Sequence, residues 1–321
     1  MTTSVRELDR RHVWHPYTQH FDAPPAGVVT RAEGAYLYDD SGRQIFDAIS
    51  SWWVTLHGHA HPVIAEAVGG QARVLEQVIF AGFTHEPAVR LAAALVGILP
   101  PGLTRVFFSD DGSTAVEVAL KMALQYWTGR GERRPLIAAL ENAYHGDTFG
   151  AMAASARGVF TGPFARHLFE VARLPDPSAD GPATVAALDR LLDMRGAELA
   201  AVIVEPLLLG AGGMRVWDTA TLTAIRERTS AAGVLLIADE VLTGFGRTGP
   251  HFACSRAEVV PDIVCLSKGL TGGFLPLGAT VTREEIFAAF LSADRRRTFF
   301  HGHSYTANPL ACAAALASLS L

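Results

Sequence analysis

The chain has 321 residues, 49% hydrophobic and 18% charged, enough for about two domain lengths of roughly 150 residues or one large α/β unit with an appendage. This composition excludes a small disulfide-stapled scaffold and a disordered chain. The formal net charge is −5, and no basic stripe interleaves with aromatic residues, so we expect a small-molecule partner and neither nucleic acid nor a membrane.

The cysteines and the N-terminal residues predict a cytoplasmic protein. Cys254, Cys265 and Cys312 form no C-x-x-C pair, which is typical of buried thiols in a reducing compartment. The first residues are polar and rich in arginine, and no apolar run reaches the roughly 18 residues that a membrane span needs.

In chain order, the first fifty or so residues predict a small separate lobe. They contain many aromatic and turn residues, and the stretch YLYDDSGRQIFDA is typical of a hairpin whose turn lies at Asp-Ser-Gly.

The rest of the chain alternates short β-branched or aromatic runs with longer Ala/Leu-rich runs. This alternation predicts an α/β fold with a mostly parallel central sheet flanked by helices. The predicted strands are Arg105–Ser109, Leu136–Glu141, Ala201–Glu205, Val234–Val241, Ile263–Leu266 and Ala279–Thr282. The predicted helices are Pro62–Ile79, Ser113–Trp127, Pro182–Arg195, Thr219–Ala232 and Arg283–Leu291, and NPLACAAALASLSL begins another.

Two carboxylates follow one of the most apolar predicted strands. In VLLIADEV, Asp239 and Glu240 come at the carboxyl end of the strand, where open parallel sheets bind ligands. A carboxylate in a solvated turn is one interpretation. A buried anion that holds a protonated ring nitrogen is the other, since such an anion needs a cationic or hydrogen-bonding partner.

Lys268 is a candidate nucleophile at the end of the next predicted strand. Of the 27 basic residues, Lys121 and Lys268 are the two lysines. A lysine beside an apolar site readily loses its charge and becomes an amine suited to Schiff-base chemistry. Lys121 lies in the middle of a predicted helix, where we expect a solvated side chain.

A phosphate cup is predicted between a strand and a helix in RVFFSDDGSTAVEVALKMA. Backbone N–H groups of Gly112 and Ser113, the hydroxyls of Ser113 and Thr114 and the helix dipole together suit an anion. The same letters also describe an ordinary helix N-cap. With Asp239 and Lys268, the cup supplies the third point needed to hold a phosphorylated pyridine aldehyde.

Two other patterns point to different chemistry. GFGRTG at 244–249 fits a dinucleotide fingerprint, but acids precede it and Pro250 follows it instead of an apolar helix. The histidines of HGHAH and HGH have a spacing that suits a metal, but no acid or cysteine completes a ligand set, so we expect no metal site.

Taken together, these motifs resemble the class III, fold type I aminotransferases that use pyridoxal 5'-phosphate (PLP). The glycine/serine cup, NAYHGDTFG, Glu205, IADEVLTGFGRTG and LSKGLTGG occur in the family's order over nearly the whole chain. Within the class, VWHPYTQ, SSWWVTLHGHAHP and NAYHGDT are similar to the biotin-synthesis members. The resemblance implies transamination of 8-amino-7-oxononanoate to 7,8-diaminononanoate by a ping-pong mechanism.

The resemblance also assigns roles to residues that would hold the cofactor. Lys268 matches the lysine that bonds the cofactor, Asp239 the acid that keeps its ring nitrogen protonated, and Tyr144 the aromatic residue stacked on the ring. Gly112, Ser113, Glu205 and Ser304 match further cofactor-binding positions. Ser304 matches a hydroxyl that reaches the phosphate of the neighbouring subunit, which implies a homodimer with shared active sites.

Five residues match the substrate end of the family's site. Tyr17, Trp52 and Trp53 match aromatic residues that enclose the oxononanoate chain, and Asp147 and Arg247 match polar residues beside them. The implied domains are the N-terminal part of a small lobe at 1–55, the large PLP-binding domain at 56–306, and at 307–321 a helix leading to a C-terminal lobe that is expected to be missing.

The amino donor stays open at this point. HGHSYTANP differs from the HGPTF form common in enzymes that take S-adenosylmethionine and is similar to relatives that take lysine. An ω-aminotransferase for another diamine or amino acid, or a non-catalytic protein of the same fold, are the alternative functions.

Overall fold

The computed structural model describes residues 4–321. Its strands are β1 Val29–Glu33, β2 Tyr36–Asp39, β3 Gln44–Phe46, β4 Leu103–Ser109, β5 Leu136–Leu140, β6 Val171–Leu174, β7 Leu199–Val204, β8 Leu208–Leu209, β9 Arg215–Val216, β10 Leu235–Asp239, β11 Ile263–Leu266 and β12 Gly278–Arg283. Its helices are α1 Val5–His12, α2 Ser50–Trp53, α3 Pro62–Ala72, α4 Glu86–Ile98, α5 Gly112–Gly129, α6 Phe149–Ala154, α7 Gly181–Arg195, α8 Thr219–Ala231, α9 Ala253–Arg256, α10 Glu284–Ala288 and α11 Pro309–Ser320. Short 3-10 helices cover Gly162–His167, Gly196–Glu198, Lys268–Thr271 and Arg295–Arg297.

The central sheet of the described chain has seven strands in the order β4-β12-β11-β10-β7-β5-β6. β12 runs antiparallel to both of its neighbours, and the other adjacent pairs are parallel. The predicted α/β class with a mostly parallel sheet is therefore confirmed. Because β10 and β11 are parallel neighbours, the residues that follow them emerge at the same edge of the sheet, where such folds bind ligands.

Both faces of the sheet are buried, which explains why its strands are almost continuously apolar. Side chains of β10 alternate between two core clusters, with Leu236 and Ala238 in one and Leu235 and Ile237 in the other. The second cluster also contains the buried face of α5. Asp239 continues the alternation of Leu235 and Ile237 and so lies at the strand end on the face that α5 covers.

The predicted hairpin of the small lobe is confirmed as β2 and β3, which pair antiparallel and join β1 in a three-stranded sheet. Asp39 closes the turn, since its Oδ1 accepts hydrogen bonds from the backbone N–H groups of Ser41 and Arg43 at 3.0 and 2.9 Å. Gly42 has φ +83°, a conformation that favours glycine at this position.

The helix predicted over Pro62–Ile79 is wrong at its C-terminal end, because α3 ends at Ala72. Beyond it, Gln77 donates to the carbonyl of Ser304 at 2.5 Å, and Asn308 donates to the carbonyl of Glu76 at 3.0 Å. These long-range hydrogen bonds hold the segment against residues 304–308, so tertiary contacts override the local helical pattern.

The helix predicted over Arg283–Leu291 is also too long, since Arg283 still belongs to β12 and α10 ends at Ala288. The other predicted strands and helices are present with ends within two residues, and α11 begins at Pro309 as expected. The sequence patterns did not indicate α4 and β6, nor the shorter elements α1, α2, α6, α9, β1, β8 and β9. The three cysteines are buried and free, as predicted. Within residues 4–321, no helix is both long enough and apolar enough to cross a membrane.

Candidate active site

The two carboxylates at the end of β10 have different surroundings. Glu240 is fully buried and accepts hydrogen bonds from the backbone N–H groups of Ala253 and Cys254 at 3.0 and 2.8 Å, so it fixes the loop that leads into α9. Asp239 is 5% exposed, and its Oδ2 lies 2.7 Å from Nδ1 of His145. Asp239 is therefore the carboxylate that remains for chemistry.

His145 is a site residue that the sequence analysis did not single out. Its side chain is fully buried, and its Nε2 has no hydrogen-bond partner among the described residues. The backbone N–H of His145 is held by Ser155 Oγ at 2.8 Å. Asp239 Oδ1 accepts the backbone N–H of Val241 at 3.1 Å. Since each carboxylate oxygen has two lone pairs, Asp239 keeps the capacity to accept a proton-bearing nitrogen of a ligand.

Glu205 is a buried carboxylate whose oxygens both accept backbone N–H groups. Its Oε1 accepts from Tyr144 at 2.7 Å and its Oε2 from Gly210 at 2.8 Å. Burial is the largest cause that raises the pKa of Glu205 to about 7, and the charge of Asp239 raises it further. Glu205 therefore holds the backbone of Tyr144 in place, which is an indirect way of shaping a ligand site.

Lys268 lies just after β11, where its amine is almost completely enclosed. Burial lowers the pKa of Lys268; the carboxylates of Asp239 and Glu205 oppose this shift, and the Arg247 guanidinium adds to it. Its Nζ lies 5.5 Å from the centre of the Trp53 ring. Lys268 also has φ 49°, an uncommon value for a side-chain-bearing residue. The structure therefore brings Lys268 and Asp239 within electrostatic reach of each other, and burial lowers the pKa of the amine.

The predicted cup lies at the N-terminus of α5. Asp111 caps the helix and Thr114 completes a capping box, so the Thr114 hydroxyl, predicted to face a phosphate, instead bonds to Asp110 and the backbone of Asp111. The N–H groups of Gly112 and Ser113 have no acceptor among residues 4–321. Two free N–H groups at a positive helix end suit an anion.

Close packing surrounds this cup. A Cβ built at Gly112 would lie 2.6 Å from Val241 Cγ1, and one built at Gly146 would lie 2.2 Å from Ser113 Oγ. The Ser113 hydroxyl bonds to the Thr148 hydroxyl at 2.8 Å and accepts the Thr148 N–H at 3.0 Å. Glycine is therefore required at two places where the backbone passes close to its neighbours.

Tyr144 and Tyr17 connect the segment that follows β5 with the N-terminal residues. Their hydroxyl oxygens are 3.4 Å apart, and the Tyr17 hydroxyl also donates to Asp147 Oδ2. Burial raises the pKa of both phenols. The Tyr17 ring meets the rings of Trp52 and Phe160 edge-on, with centroids 5.5 and 5.8 Å apart. Tyr17, Trp52 and Trp53 form an aromatic wall. Phe160 was not predicted, and its contact with Tyr17 extends this wall.

Trp52 and Trp53 lie on the single turn α2, between Tyr17 and the amine of Lys268. Trp52 faces Tyr17 and Trp53 faces Lys268. Arg247 donates a hydrogen bond from Nη2 to the Trp53 carbonyl, and burial lowers the pKa of its guanidinium. The predicted substrate residues therefore form one connected group with Lys268.

Ser304 does not join this group within the described chain. Its carbonyl accepts from Gln77, and within residues 4–321 its exposed side chain makes no hydrogen bond to the cup.

Lys121, predicted to be solvated, is exposed but hydrogen-bonded, because its Nζ lies 3.0 Å from His301 Nδ1 and donates to the Phe300 carbonyl at 3.3 Å. Lys121 thus anchors the loop that carries Ser304.

The histidines of HGHAH serve as structural hydrogen-bonding groups. His57 Nε2 lies 2.9 Å from Ser318 Oγ, and His59 Nε2 lies 2.8 Å from Asp47 Oδ2. No group of three or more possible metal ligands occurs in the described part of the chain.

Comparison with known proteins connects this arrangement to one family. The family model for aminotransferase class-III matches residues 17–321. The chain belongs to the class-III aminotransferases. It is therefore a PLP-dependent aminotransferase, and the predicted family and cofactor are confirmed.

Several curated class-III relatives share one name. The chain is 56% identical over 319 residues to the adenosylmethionine-8-amino-7-oxononanoate aminotransferase of Synechococcus elongatus, covering 97% of this chain and 75% of that protein. A protein with the same name from Nitratidesulfovibrio vulgaris is 46% identical over 339 residues, covering 100% of this chain and 62% of that protein.

Solved class-III structures have the same fold. An adenosylmethionine-8-amino-7-oxononanoate aminotransferase from Methanocaldococcus jannaschii superposes with a TM-score of 0.93 at 38% identity, covering 98% of this chain and 73% of that one. An amine transaminase from an uncultivated Pseudomonas species, solved in its PLP-bound form, gives 0.90 at 34% identity, covering 96% and 74%. The chain spans about three quarters of the length of these structures.

The residues of the class-III site fit PLP on structural grounds. The free N–H groups of Gly112 and Ser113 suit its phosphate, the remaining lone pairs of Asp239 suit its ring nitrogen, and the enclosed amine of Lys268 suits its aldehyde. His145 and Phe160 were missed, because His145 is bonded to a residue 94 positions away and Phe160 lies in a loop without periodic pattern.

Proposed function

We propose that the protein transfers an amino group to 8-amino-7-oxononanoate, giving 7,8-diaminononanoate. The observation that carries this proposal is the continuous contact from the Lys268 amine through Trp53 and Trp52 to Tyr17. An amine at one end of an aromatic wall suits a substrate with a reactive ketone and a long methylene chain. The names of the curated relatives support the same substrate.

Each proposed catalytic group has a defined task. PLP supplies, when bound, an aldehyde that carries the transferred nitrogen and a ring that accepts electrons. The Nζ of Lys268, whose pKa burial lowers, takes a proton from the substrate carbon and returns one in the second half-reaction. Asp239, supported by His145, holds a proton on the ring nitrogen, since an adjacent carboxylate favours the charged form.

The remaining cofactor residues bind and orient. Gly112 and Ser113 donate backbone N–H groups to the phosphate, and Tyr144 covers the ring. Glu205 acts through the backbone of Tyr144 and Gly210, whose N–H groups its two oxygens accept. We therefore propose Glu205 as a positioning residue and not as a direct contact of the cofactor.

The proposed substrate residues divide between apolar and polar contacts. Tyr17, Trp52 and Trp53 exclude water from the methylene chain. Asp147 orients the Tyr17 hydroxyl, and Arg247 fixes the Trp53 carbonyl. Both polar residues thus act on the aromatic wall.

S-adenosylmethionine is the proposed amino donor, as the names of the relatives suggest. Lysine is the second candidate, favoured by the sequence HGHSYTANP in the loop that Lys121 anchors.

We further propose a cytoplasmic homodimer in which Ser304 reaches the phosphate of the partner subunit. The segments 74–83 and 300–305 contact each other and expose several large apolar side chains, which is typical of a protein interface. These side chains are Val74, Ile79, Phe83, Phe300 and Tyr305. The proposed domains are residues 1–55, 56–306 and 307–321, the last leading toward a C-terminal lobe.

Turnover of 8-amino-7-oxononanoate with each donor tests the proposal. Purified protein loaded with PLP should form 7,8-diaminononanoate with S-adenosylmethionine or with lysine, and Lys268→Ala should abolish the product and the cofactor's visible to near-ultraviolet absorbance. Lys121→Arg is the matched control, because it replaces the other lysine but keeps a charged donor for the Phe300 carbonyl, so it should keep both. Absence of product with both donors would overturn the substrate assignment.

An ω-aminotransferase is the competing function, since a solved (S)-enantioselective omega-transaminase from Thermomicrobium roseum superposes with a TM-score of 0.93 at 33% identity. Trp52→Ala separates the two. Selective loss of oxononanoate turnover supports the proposal, whereas equal activity of the variant on all substrates favours the alternative.

A further inference from the structure

The turn that carries both tryptophans has an unusual backbone. Ser50, Ser51, Trp52 and Trp53 have φ values of 48°, 47°, 62° and 66°. None is glycine, and a left-handed conformation is unfavourable for each of them. Four such residues in succession persist only if the surroundings hold them, and backbone strain of this kind clusters at functional sites.

Asp47 holds the start of this left-handed turn. Its side chain is 5% exposed, and its Oδ2 accepts the Ser51 hydroxyl at 2.8 Å. The carbonyl of Asp47 accepts the N–H of Ser50 at 3.1 Å. Burial raises the pKa of Asp47, but hydrogen bonds from Ser51 and His59 outweigh it, so the carboxyl pKa lies below its usual value and the group is a strong acceptor.

His59 connects Asp47 to the rest of the small lobe. Its Nε2 lies 2.8 Å from the same Oδ2, and its backbone pairs with Gly34, with N–H to carbonyl distances of 2.7 and 3.2 Å. The two chain segments cross closely, since a Cβ built at Gly58 would lie 3.0 Å from Gly34 Cα. Asp47 is therefore itself fixed before it bonds the turn.

The other end of the turn is held from the large lobe. Arg247 bonds the Trp53 carbonyl, and a Cβ built at Gly273 would lie 3.0 Å from the backbone of Thr55. The turn is thus clamped between Asp47 on one side and Arg247 on the other. If either clamp opens, the backbone can relax toward right-handed geometry, and Trp52 and Trp53 then turn away from Tyr17 and Lys268.

We propose that Asp47 is a positioning residue that sets specificity for long-chain substrates by holding the left-handed Ser50–Trp53 turn. Asp47 acts through Ser51 and does not belong to the predicted substrate wall. The inference rests on the proposed function, because it concerns the wall that would bind the methylene chain of 8-amino-7-oxononanoate.

The test compares Asp47→Ala with the same change combined with Ser50→Gly. Loss of the carboxylate should raise the KM for 8-amino-7-oxononanoate about ten-fold or more with a smaller effect on kcat, because misplaced binding groups weaken substrate positioning. Glycine adopts a positive φ without penalty, so Ser50→Gly should restore part of the KM. The Ser50 side chain makes no hydrogen bond that this change would remove.

Asp39→Ala is the matched control. Asp39 is a buried carboxylate of the same lobe that also bonds a serine hydroxyl and backbone N–H groups, but in the β2–β3 turn. It should lower the melting temperature as Asp47→Ala does, yet leave the KM unchanged. If Asp47→Ala folds poorly, Asp47→Asn, which keeps one acceptor oxygen, should show a smaller KM increase with the same rescue.

A second measurement does not depend on turnover. Near-ultraviolet circular dichroism of the apoprotein should lose the Tyr17–Trp52 signal in Asp47→Ala, as in Trp52→Phe, and regain part of it with Ser50→Gly. An unchanged KM and spectrum in Asp47→Ala, or equal KM changes in Asp39→Ala, would overturn the inference. Failure of the proposed function is distinct, because the unaltered protein would then give no 7,8-diaminononanoate while the spectral comparison still stands.

Discussion

At the scale of single residues, the site depends on three ionisable groups at neighbouring strand ends, which are Lys268, Glu205 and Asp239. Burial disfavours the charged forms of both Lys268 and Glu205, so it lowers the pKa of the amine and raises the pKa of the carboxyl to about 7. The Asp239 carboxylate lies 2.7 Å from Nδ1 of His145. The site therefore places an amine whose pKa is lowered by burial beside a hydrogen-bonded carboxylate.

The pKa of Glu205 makes the stability of the apoprotein depend on pH. The folded carboxyl keeps its proton up to about pH 7, whereas the unfolded chain releases it near the ordinary value of 4.5. Between these values the folded state binds more protons, so this contribution to stability is full below pH 4.5 and is lost as the pH rises through 7. The free energy of unfolding should fall by at most about 1.4 kcal/mol per pH unit from this group.

Urea unfolding of the apoprotein between pH 5 and pH 7.5 checks this dependence. Glu205→Gln cannot titrate and should flatten the decline, even if it loses a hydrogen bond and is less stable overall. Glu284→Gln is the control, since Glu284 is exposed and its pKa is lowered by Arg105, so its titration lies below this range. Equal slopes for the unaltered protein and Glu205→Gln would contradict the prediction.

At the scale of elements, α5 begins with free N–H groups that suit an anion. Its capping box uses Asp111 and Thr114 to satisfy the helix end, which leaves the N–H groups of Gly112 and Ser113 free. Gly112 also packs against Val241, which follows the β10 carboxylate. The phosphate cup and the segment that follows Asp239 are therefore in direct contact, through Gly112 and Val241.

Gly112→Ala should weaken PLP binding, because the added methyl group would overlap with Val241 at this contact. The new Cβ would lie 2.6 Å from Val241 Cγ1, so the first turn of α5 must shift. Overpacking typically costs about 1–3 kcal/mol, which corresponds to about five- to 150-fold in the dissociation constant. Titration of the apoprotein with PLP, followed by absorbance, measures the change.

A second substitution tests the cause of that weakening. Val241→Ala removes both γ-methyl groups that the Cβ at position 112 would meet, so the double variant should recover most of the PLP affinity. Gly70→Ala in α3 is the control, because nothing lies within 4 Å of the added Cβ. If the double variant binds PLP no better than Gly112→Ala alone, packing against Val241 is not the reason.

At the scale of the whole molecule, the sequence predicts regular buried strands and helices well and irregular backbone segments poorly. Buried strands such as Ile263–Leu266 are recognisable because both faces of the sheet need apolar side chains. The left-handed Ser50–Trp53 turn is not, because local preference opposes it and its support comes from Asp47 and Arg247, the latter 194 residues from Trp53. The early end of α3 has the same origin in distant contacts.

The candidate site follows a similar division. That Lys268 and Asp239 lie close together was predictable because each ends an apolar strand, and parallel neighbours bring such ends together. His145 was not, since a histidine in a loop gives no sign of its partner. The proximity of residues at strand ends was thus easier to predict than the loop residues that bond to them.

Ser304 makes the proposed dimer testable at the level of the active site. Ser304→Asp should weaken PLP binding by placing a negative charge beside the phosphate, and Lys268→Ala should be inactive. When the two variants are co-expressed with different tags and the hybrid is isolated, the subunit with Lys268 receives an intact Ser304 from its partner. If Ser304 serves the partner subunit, the hybrid should regain about one unaltered site, with normal PLP affinity and about half the activity of the unaltered dimer.

The opposite arrangement gives a different result with the same hybrid. If Ser304 serves its own subunit, the only subunit that keeps Lys268 also carries the aspartate, so the hybrid stays weak in PLP binding and in turnover. The hybrid of Lys268→Ala with the unaltered chain is the control for one working site. Because both interpretations concern the same hybrid, stability and expression affect them equally, and the activity of the Lys268 subunit reports only where its Ser304 comes from.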